Sequence, residues 1–260
     1  MQRQTTRIIS NKNIAAGIFD LTVEWRSAEI ALPGQFVNIY LKNPAKLLPR
    51  PISICDFDGK QLRMIYRSTG AGSGTDELSG YGEGEEIDIT APVGRGYPIE
   101  EIKGQAVGGD IVLMGGGIGI PPMYYLAKKL GVGCTVVLGF RDEHTFLLDE
   151  FYGLGADVII ASDDGSIGVH GTVIDAITQS DKKPKVICAC GPKPMLAAVK
   201  KYADKLGAAA YVSLEERMAC GIGACLGCVT PTVDTDAHSR VKNARVCVDG
   251  PVFNADDVVL

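Results

Sequence analysis

Three closely spaced cysteines constrain this chain more than any other feature: Cys220, Cys225 and Cys228, in the stretch Met218-Ala219-Cys220-Gly221-Ile222-Gly223-Ala224-Cys225-Leu226-Gly227-Cys228. Their spacing is C-x4-C-x2-C, and a fourth cysteine, Cys247, follows on what the pattern predicts to be a distant return strand. Four unevenly spaced thiolates, three from one loop and one from elsewhere, suit a plant-type [2Fe-2S] cluster, whose two irons need two sulfur ligands each. Gly221, Gly223 and Gly227 are expected to take positive φ and to bring backbone N–H groups close to the sulfides, where they stabilise negative charge.

Other uses of these cysteines fit less well. A zinc site usually shows two C-x2-C pairs, or one pair followed by histidines, and here only Cys225 and Cys228 form such a pair. A thioredoxin-like dithiol would enter from a strand into a helix, without two further cysteines around it. A Rieske centre needs two histidines, and His238 stands alone. Structural disulfides suit secreted chains. The N-terminus, Met1-Gln2-Arg3-Gln4-Thr5-Thr6-Arg7, is polar and leads straight into a strand-like run, so no signal peptide is read there and a reducing, cytoplasmic setting is expected.

With 26 basic against 31 acidic residues the chain offers no polycationic face for nucleic acid. Residues 111–127 carry no charge, but their glycines and prolines, and a length short of the roughly 20 apolar residues of a membrane span, argue for a nucleotide-binding loop. A length of 260 residues and a hydrophobic content of 46% allow a substantial core in more than one domain.

From Arg7 to about Lys103 short alternating runs such as Phe36-Val37-Asn38-Ile39-Tyr40-Leu41 and Leu62-Arg63-Met64-Ile65-Tyr66-Arg67 are broken by turn residues, which predicts an antiparallel β-barrel without long helices. Within it lie Arg50-Pro51-Ile52-Ser53, then Ile65-Tyr66-Arg67, then Gly74-Thr75. An arginine beside a rigid proline, with a hydroxyl two residues on, suits a flavin diphosphate and ring. Gly74-Thr75 is expected to open a short helix at 76–78 whose first N–H groups face that diphosphate. Each piece alone reads equally as a surface arginine or an ordinary glycine-rich hairpin; their combination and order point to the flavin.

After Gly104 strands and helices alternate, with strands expected at 110–114, 135–138, 157–161, 186–189 and 210–214, and helices after Pro122 and at 148–151, 173–178 and 194–206. In the last helix Met195, Leu196, Val199, Ala203 and Leu206 share a face. This is the pattern of a doubly wound parallel sheet. Its first loop, Gly115-Gly116-Gly117-Ile118-Gly119-Ile120-Pro121-Pro122, departs from G-x-G-x-x-G but keeps the physics of a dinucleotide turn, with proline in the first helical turn. The alternative is tight strand-to-helix packing. Cys190-Gly191-Pro192 closes another strand at the same carboxyl edge, and Asp163, beside Asp164, is placed to reach a ribose or amide, or else simply makes the turn.

Taken together, Arg-Pro-x-Ser, Tyr-Arg, Gly-Thr, Gly-Gly-Gly-x-Gly-x-Pro-Pro and Cys-Gly-Pro resemble the ferredoxin-NADP reductase superfamily. Glu215-Glu216-Arg217-Met218-Ala219-Cys220 and Cys247-Val248-Asp249-Gly250-Pro251-Val252-Phe253 narrow the resemblance to the electron-transfer subunits of type B dihydroorotate dehydrogenase, over essentially the whole chain. It implies an FAD-binding barrel at 1–103, an NAD-binding α/β domain at 104–212 and a small [2Fe-2S] domain at 213–260. By the same resemblance FAD is held by Arg50, Pro51, Ile52, Ser53, Ile65, Tyr66, Arg67, Gly74 and Thr75. NAD lies over Gly115, Gly116, Gly117, Gly119 and Pro121, with Cys190, Gly191 and Pro192 near the nicotinamide, and the cluster sits on Cys220, Cys225, Cys228 and Cys247. An FMN-containing catalytic subunit, in a heterotetramer of two plus two, would supply electrons from dihydroorotate in pyrimidine biosynthesis. Two alternatives stay open: a flavin and iron-sulfur subunit of another NAD(P)- or ferredoxin-linked complex, and an iron-sulfur sensor on a reductase scaffold. One departure, Ala91-Pro92-Val93-Gly94-Arg95-Gly96-Tyr97 in place of Gly-Pro-x-Gly-x-Gly-Phe, concerns local packing.

Overall fold

The computed structural model describes residues 1–131, 133–235 and 240–260, so His238 lies outside the described residues. Six strands, β1 (Gln2–Ala15), β2 (Ile18–Glu24), β3 (Phe36–Tyr40), β4 (Arg50–Phe57), β5 (Gln61–Arg67) and β6 (Glu86–Val93), close an antiparallel barrel in the order β1-β2-β5-β4-β3-β6. Alternation does the work expected of it: Leu62, Met64 and Tyr66 of β5 join Leu21, Val23, Val37, Ile39, Ile54, Ile87 and Ile89 in one core. The short helix between β5 and β6, α1 (Gly74–Ser79), starts two residues earlier than expected, with the Ser73 hydroxyl accepting the Asp76 N–H.

A helix with no counterpart in the sequence reading, α2 (Ile99–Gln105), leads to the second unit. There β7 (Asp110–Gly116), α3 (Ile120–Leu130), β8 (Cys134–Phe140), α4 (Leu148–Gly153), β9 (Asp157–Ser162), β10 (Val169–His170), α5 (Val173–Thr178), β11 (Pro184–Cys190), α6 (Lys193–Leu206) and β12 (Ala209–Ser213) follow one another. The C-terminal segment adds a two-stranded ribbon, β13 (Val229–Pro231) with β14 (Asn243–Arg245), and then β15 (Val252–Asn254). The large sheet runs β10-β9-β8-β7-β11-β12-β15, parallel except for β15, which lies antiparallel on β12. Both faces are covered, so its strands read as continuous apolar runs. Leu113 packs with Met123 and Leu126 of α3, while Val112 and Met114 on either side of it pack with Val173 of α5 and Leu196 and Val199 of α6. On α6 the expected stripe buries Leu196, Val199 and Ala203, but Leu206, in the last turn before the left-handed cap Gly207, is 45% exposed. Among the described residues no helix is long and apolar enough to cross a membrane.

Barrel and sheet are joined by directed contacts as well as apolar ones. Tyr125 of α3 enters the barrel core and its hydroxyl donates to Ala31 O at 2.7 Å. Tyr97, standing where the related pattern has phenylalanine, donates to Ala189 O at 3.0 Å in β11. Arg63 of β5 spans the junction, bonding Asp20 of β2 at 2.7 Å and Glu150 of α4 at 2.6 Å. Both contacts are two-pronged, the geometry that suits a guanidinium best. Replacing Arg63 by leucine leaves two carboxylates facing each other without a cation. The expected loss is about 2 kcal/mol of unfolding free energy, read as a lower urea midpoint at unchanged slope.

Candidate functional site

A cleft of about 910 Å³ runs between the barrel and the carboxyl edge of the sheet, a size that accommodates a dinucleotide or a large part of one. Its barrel wall includes Pro51, Ile52, Ser53, Ile65, Tyr66, Arg67 and Thr75, and its sheet wall Gly116, Gly117, Asp163, Gly191 and Pro192. Of the other flavin and nucleotide residues singled out in the sequence, Arg50, Gly74, Gly115, Gly119, Pro121 and Cys190 are not part of the cleft lining. Half-buried Arg50 lies across Gly74, where an added Cβ would come within 1.8 Å of its Nε. Tyr66 is fixed by stacking on Phe19 at 5.6 Å and by its hydroxyl bond to Asn11 at 3.1 Å.

The glycine-rich loop combines both uses weighed for it. Gly117 to Gly119 form a single 3-10 turn before α3, whose first turn holds Pro121 and Pro122. Gly119 does not face the cleft: a Cβ there would sit 2.2 Å from Cys190 O, so the two sheet loops touch backbone to backbone. Gly115 is likewise closed off by Ile120, and Pro121 is buried. Gly116, Gly117 and Ile118 line the cleft from this loop, and the space a Cβ on Gly116 would need is taken by the Met195 sulfur, 2.5 Å away. Asp163 reaches the cleft, whereas the Asp164 carboxylate accepts from Ser166 and makes the turn.

Cys190 is 1% exposed and does not line the cleft. Burial pushes its thiol up, as does the nearby Glu215, against a hydrogen bond with Ser213. Glu215 and Ser213 do line the cleft and were given no role from the sequence. Glu215 is exposed along the cleft, but the protein around it partly desolvates its carboxyl and raises it above its ordinary range, offset in part by the Arg67 guanidinium. The available signal was position: Ser213 ends β12 and Glu215 follows it, at the edge where parallel sheets bind ligands.

Beyond Glu215 the chain enters the cysteine loop. Cys247 lies not on a strand but in the turn just after β14, tied back by Val246 N–H donating to Cys228 O at 2.9 Å. The four thiols associate two and two. Cys220 Sγ accepts the Cys225 N–H at 3.3 Å, while Cys228 and Cys247 are brought together by the bond between Val246 N–H and Cys228 O. Among the described residues no three His, Cys, Asp or Glu side chains gather as around one ion. Two thiol pairs are the donor set of a dinuclear cluster. Burial alone would raise Cys220, yet the N–H groups of Ile222, Cys225 and Ala224 bring it down to about 6. Cys247 is pushed up to about 12 by burial and by Cys228. Gly221 and Gly223 take φ of 64° and 84°, as expected. Gly227 does not; its N–H donates to Cys225 Sγ at 3.4 Å. Arg245 braces the loop, bonding Gly223 O at 3.2 Å and Asp249. Cys228 and Cys247 are buried, Cys220 and Cys225 half-buried, and Leu226 beside them is 73% exposed.

Comparison with known proteins agrees with this geometry. Residues 215–259 match the family described as the iron-sulfur cluster binding domain of dihydroorotate dehydrogenase B. The chain is 40% identical, over 100% of both sequences, to the dihydroorotate dehydrogenase B (NAD(+)) electron transfer subunit of Lysinibacillus sphaericus. It is 38% identical to that of Caldanaerobacter subterraneus subsp. tengcongensis, over 99% of this chain and 98% of the relative. Among solved structures, a chain of an NADH-dependent reduced ferredoxin-NADP oxidoreductase superposes with a TM-score of 0.83 at 31% identity, covering 98% of this chain and 89% of that one.

Glu215, exposed along the cleft yet crowded by the protein around it, gives a pH signature. Its folded value lies above the ordinary 4.5, so the folded protein holds this proton more tightly than the unfolded chain. Stability from this group is fully present below the ordinary value and is lost as pH rises through the raised one. A Glu215→Gln variant carries no such loss. Its stability relative to the parent should climb with pH across that window and then level off, as read from urea midpoints at stepped pH.

Proposed function

The chain belongs to the family of dihydroorotate dehydrogenase B (NAD(+)) electron transfer subunits, and from that premise we propose that it links an FMN-containing dihydroorotate dehydrogenase catalytic subunit to NAD+ through its own [2Fe-2S] cluster and FAD, in pyrimidine biosynthesis. The observation that carries this reading is the pair of thiol pairs set beside a cleft shared by barrel and sheet. Bound FAD exchanges two electrons as a hydride with nicotinamide and single electrons with an iron-sulfur cluster, which is the conversion such a link requires.

The chain's own residues bind and orient. Arg50, lying across Gly74 at the start of α1, offers a fixed charge to the FAD diphosphate. Pro51, Ile52, Ser53, Ile65, Tyr66, Arg67 and Thr75 form the flavin wall. Gly116, Gly117, Gly191 and Pro192 form this part of the NAD wall, with Met195 packed over Gly116 and Gly191, and Asp163 adds a polar group there. Gly115, Gly119, Pro121 and Cys190 hold that wall from behind. Glu215 keeps its carboxyl proton to a higher pH than an exposed glutamate does. Cys220, Cys225, Cys228 and Cys247 would hold the two irons of the cluster, which supplies one-electron exchange when bound. No residue here acts as acid or base toward dihydroorotate, which is the partner's substrate.

The partner is read from the loop's surface. Residues 218–233 carry no charged side chain, and Ile222 and Leu226 are 42% and 73% exposed. A charge-poor apolar patch around a redox centre suits the core of a stable interface. We assign it to the catalytic subunit, in a cytoplasmic complex of two plus two. A preference for NAD(H) is supported by Asp142, which lines the cleft beside Arg141 and His144 and sets a carboxylate against the one arginine that could hold a 2′-phosphate. Asp142 is held below the usual carboxylate range by the backbone N–H and ring of His144, so a charged carboxylate opposes a 2′-phosphate there. A second reading, an NAD(P)- and ferredoxin-linked subunit, draws on the likeness to the ferredoxin-NADP oxidoreductase chain.

The purified protein should contain one FAD and one [2Fe-2S] cluster, and Cys225→Ala should lose iron and acid-labile sulfide while keeping flavin. Zinc in place of iron would overturn the assignment. The isolated chain should reduce dyes with NADH much faster than with NADPH, and should turn over dihydroorotate only after the catalytic subunit is added. Equal rates with NADPH, together with ferredoxin reduction and no response to that subunit, would favour the second reading.

A further inference from the structure

β3 has two working faces. Val37 and Ile39 point into the barrel core, whereas Phe36 packs in the same apolar cluster as Cys228, Val246 and Cys247 of the C-terminal segment. Asn38 shares that outer face with Phe36. It is 0% exposed, an amide on a strand whose neighbours are apolar, and its Nδ2 donates to Gly221 O at 3.0 Å across 183 positions of sequence. The fit is close: Gly221 has φ of 64°, and a Cβ on it would lie 2.5 Å from both Nδ2 and Oδ1 of Asn38. Gly221 directly follows Cys220. On the other side, Asn38 is the ladder partner of Pro51, within the run 50–53 that forms part of the flavin wall. Among the described residues the Asn38 Oδ1 has no hydrogen-bond partner. A buried amide with one bond and one orphaned acceptor is a poor choice for packing alone, since an apolar side chain would fill the space without the desolvation cost.

We propose that Asn38 is the positioning residue that registers the Cys220 half of the cluster against the flavin-holding strand β4, through its bond to the Gly221 carbonyl. This rests on the reading of the four thiols as cluster ligands and deepens it. The bond fixes the carbonyl next to Cys220, and with it the turn whose Cys225 N–H donates to the Cys220 sulfur at 3.3 Å. Asn38 touches neither the substrate nor the cysteines; it acts by holding the loop. Its loss should therefore disturb the cluster and its exchange with the flavin, not the exchange of hydride between NADH and flavin on the far side of the cleft.

The test uses the whole chain carrying both cofactors, as Asn38→Asp, which keeps the shape but presents no amide donor to Gly221 O, and as Asn38→Leu, which removes the polarity. Three readouts are compared with the parent: flavin bleaching by NADH, the appearance of reduced cluster after it, and the g-values and midpoint potential of the cluster by electron paramagnetic resonance. The expected result is full flavin and iron content, unchanged bleaching, shifted g-values and potential, and cluster reduction slowed about tenfold or more, as displacement by a fraction of an ångström to 1 Å at a positioned pair produces. Unchanged g-values, potential and cluster reduction in both variants would overturn the proposal and leave Asn38 as packing. So would loss of flavin in both, because Asn38 would then be acting on the barrel itself. If the parent itself lacks a [2Fe-2S] signal, the ligand assignment fails first and the proposal with it, an outcome the variants cannot mimic.

Discussion

The antiparallel seating of Val252–Asn254 on β12 is the contact on which the rest of the site depends. The segment 215–259 is close to the size, about 40 residues, below which chains seldom build a core of their own. Its buried residues, Cys228, Val246, Cys247, Ala255 and Val258, share one apolar cluster with Val112, Met114, Leu196 and Val199 of the large sheet. The same end of the chain also reaches the segment that follows the last barrel strand, where Arg95 N–H donates to Gly250 O, while Leu214 N–H, just past β12, donates to Pro251 O at 2.9 Å. The cysteine loop is thus suspended between two supports, the sheet edge below and β3 beside it. Its position relative to the cleft is set by both.

Much of this was legible in the sequence, and the losses have a common cause. The C-x4-C-x2-C spacing, the two periodicities and the order of the glycine-bearing turns are local signals, and the barrel, the alternating strands and helices and the gathering of Ser53, Arg67, Gly117 and Gly191 on one cleft followed from them. What was missed depends on partners far away in the chain. β15 is three residues long and becomes a strand only because β12 offers it an edge. α2 is too short to show a periodic stripe beyond Ile102, its one fully buried side chain. Gly119 looks like a ligand-facing glycine and is one that lets two backbone loops meet. Asn38 carries no motif at all; it becomes visible only when burial shows a polar group placed where an apolar one would be less costly.

The electrostatics of the cysteine loop follow from how little charge it contains. With no side-chain cation in 218–233, negative charge on the sulfurs must be met by backbone dipoles. The positive φ of Gly221 and Gly223 turns successive N–H groups toward Cys220, and Gly223 N–H toward Cys247. Arg245 contributes from outside the loop, through the Gly223 carbonyl and Asp249, so that its charge stiffens the turn without sitting on a sulfur. Such a loop stabilises a buried anionic centre while leaving a surface that can be covered by another protein without stripping water from lysines or carboxylates.

A chain that mediates between a two-electron and a one-electron partner needs its cofactor sites held at fixed separation, because each exchange falls steeply with displacement. The parts that hold the walls of the cleft come from different units: the barrel presents Ser53 and Arg67, the sheet Gly117 and Gly191, and the C-terminal segment Met218 and Pro251. Apolar packing alone would let such units slide, since dispersion and burial are non-directional. The junctions therefore carry directed bonds at three separate points, Arg63 to Asp20 and Glu150, Tyr97 to Ala189 O and Tyr125 to Ala31 O, with Asn38 to Gly221 O as a fourth at the cysteine loop. Three of these four end on a backbone carbonyl, whose position is fixed by the fold and not by a side-chain rotamer. Orientation at the junctions is thereby specified by the main chain of one unit and a single side chain of the next, which is the arrangement that best converts a correct fold into a correct distance between redox sites.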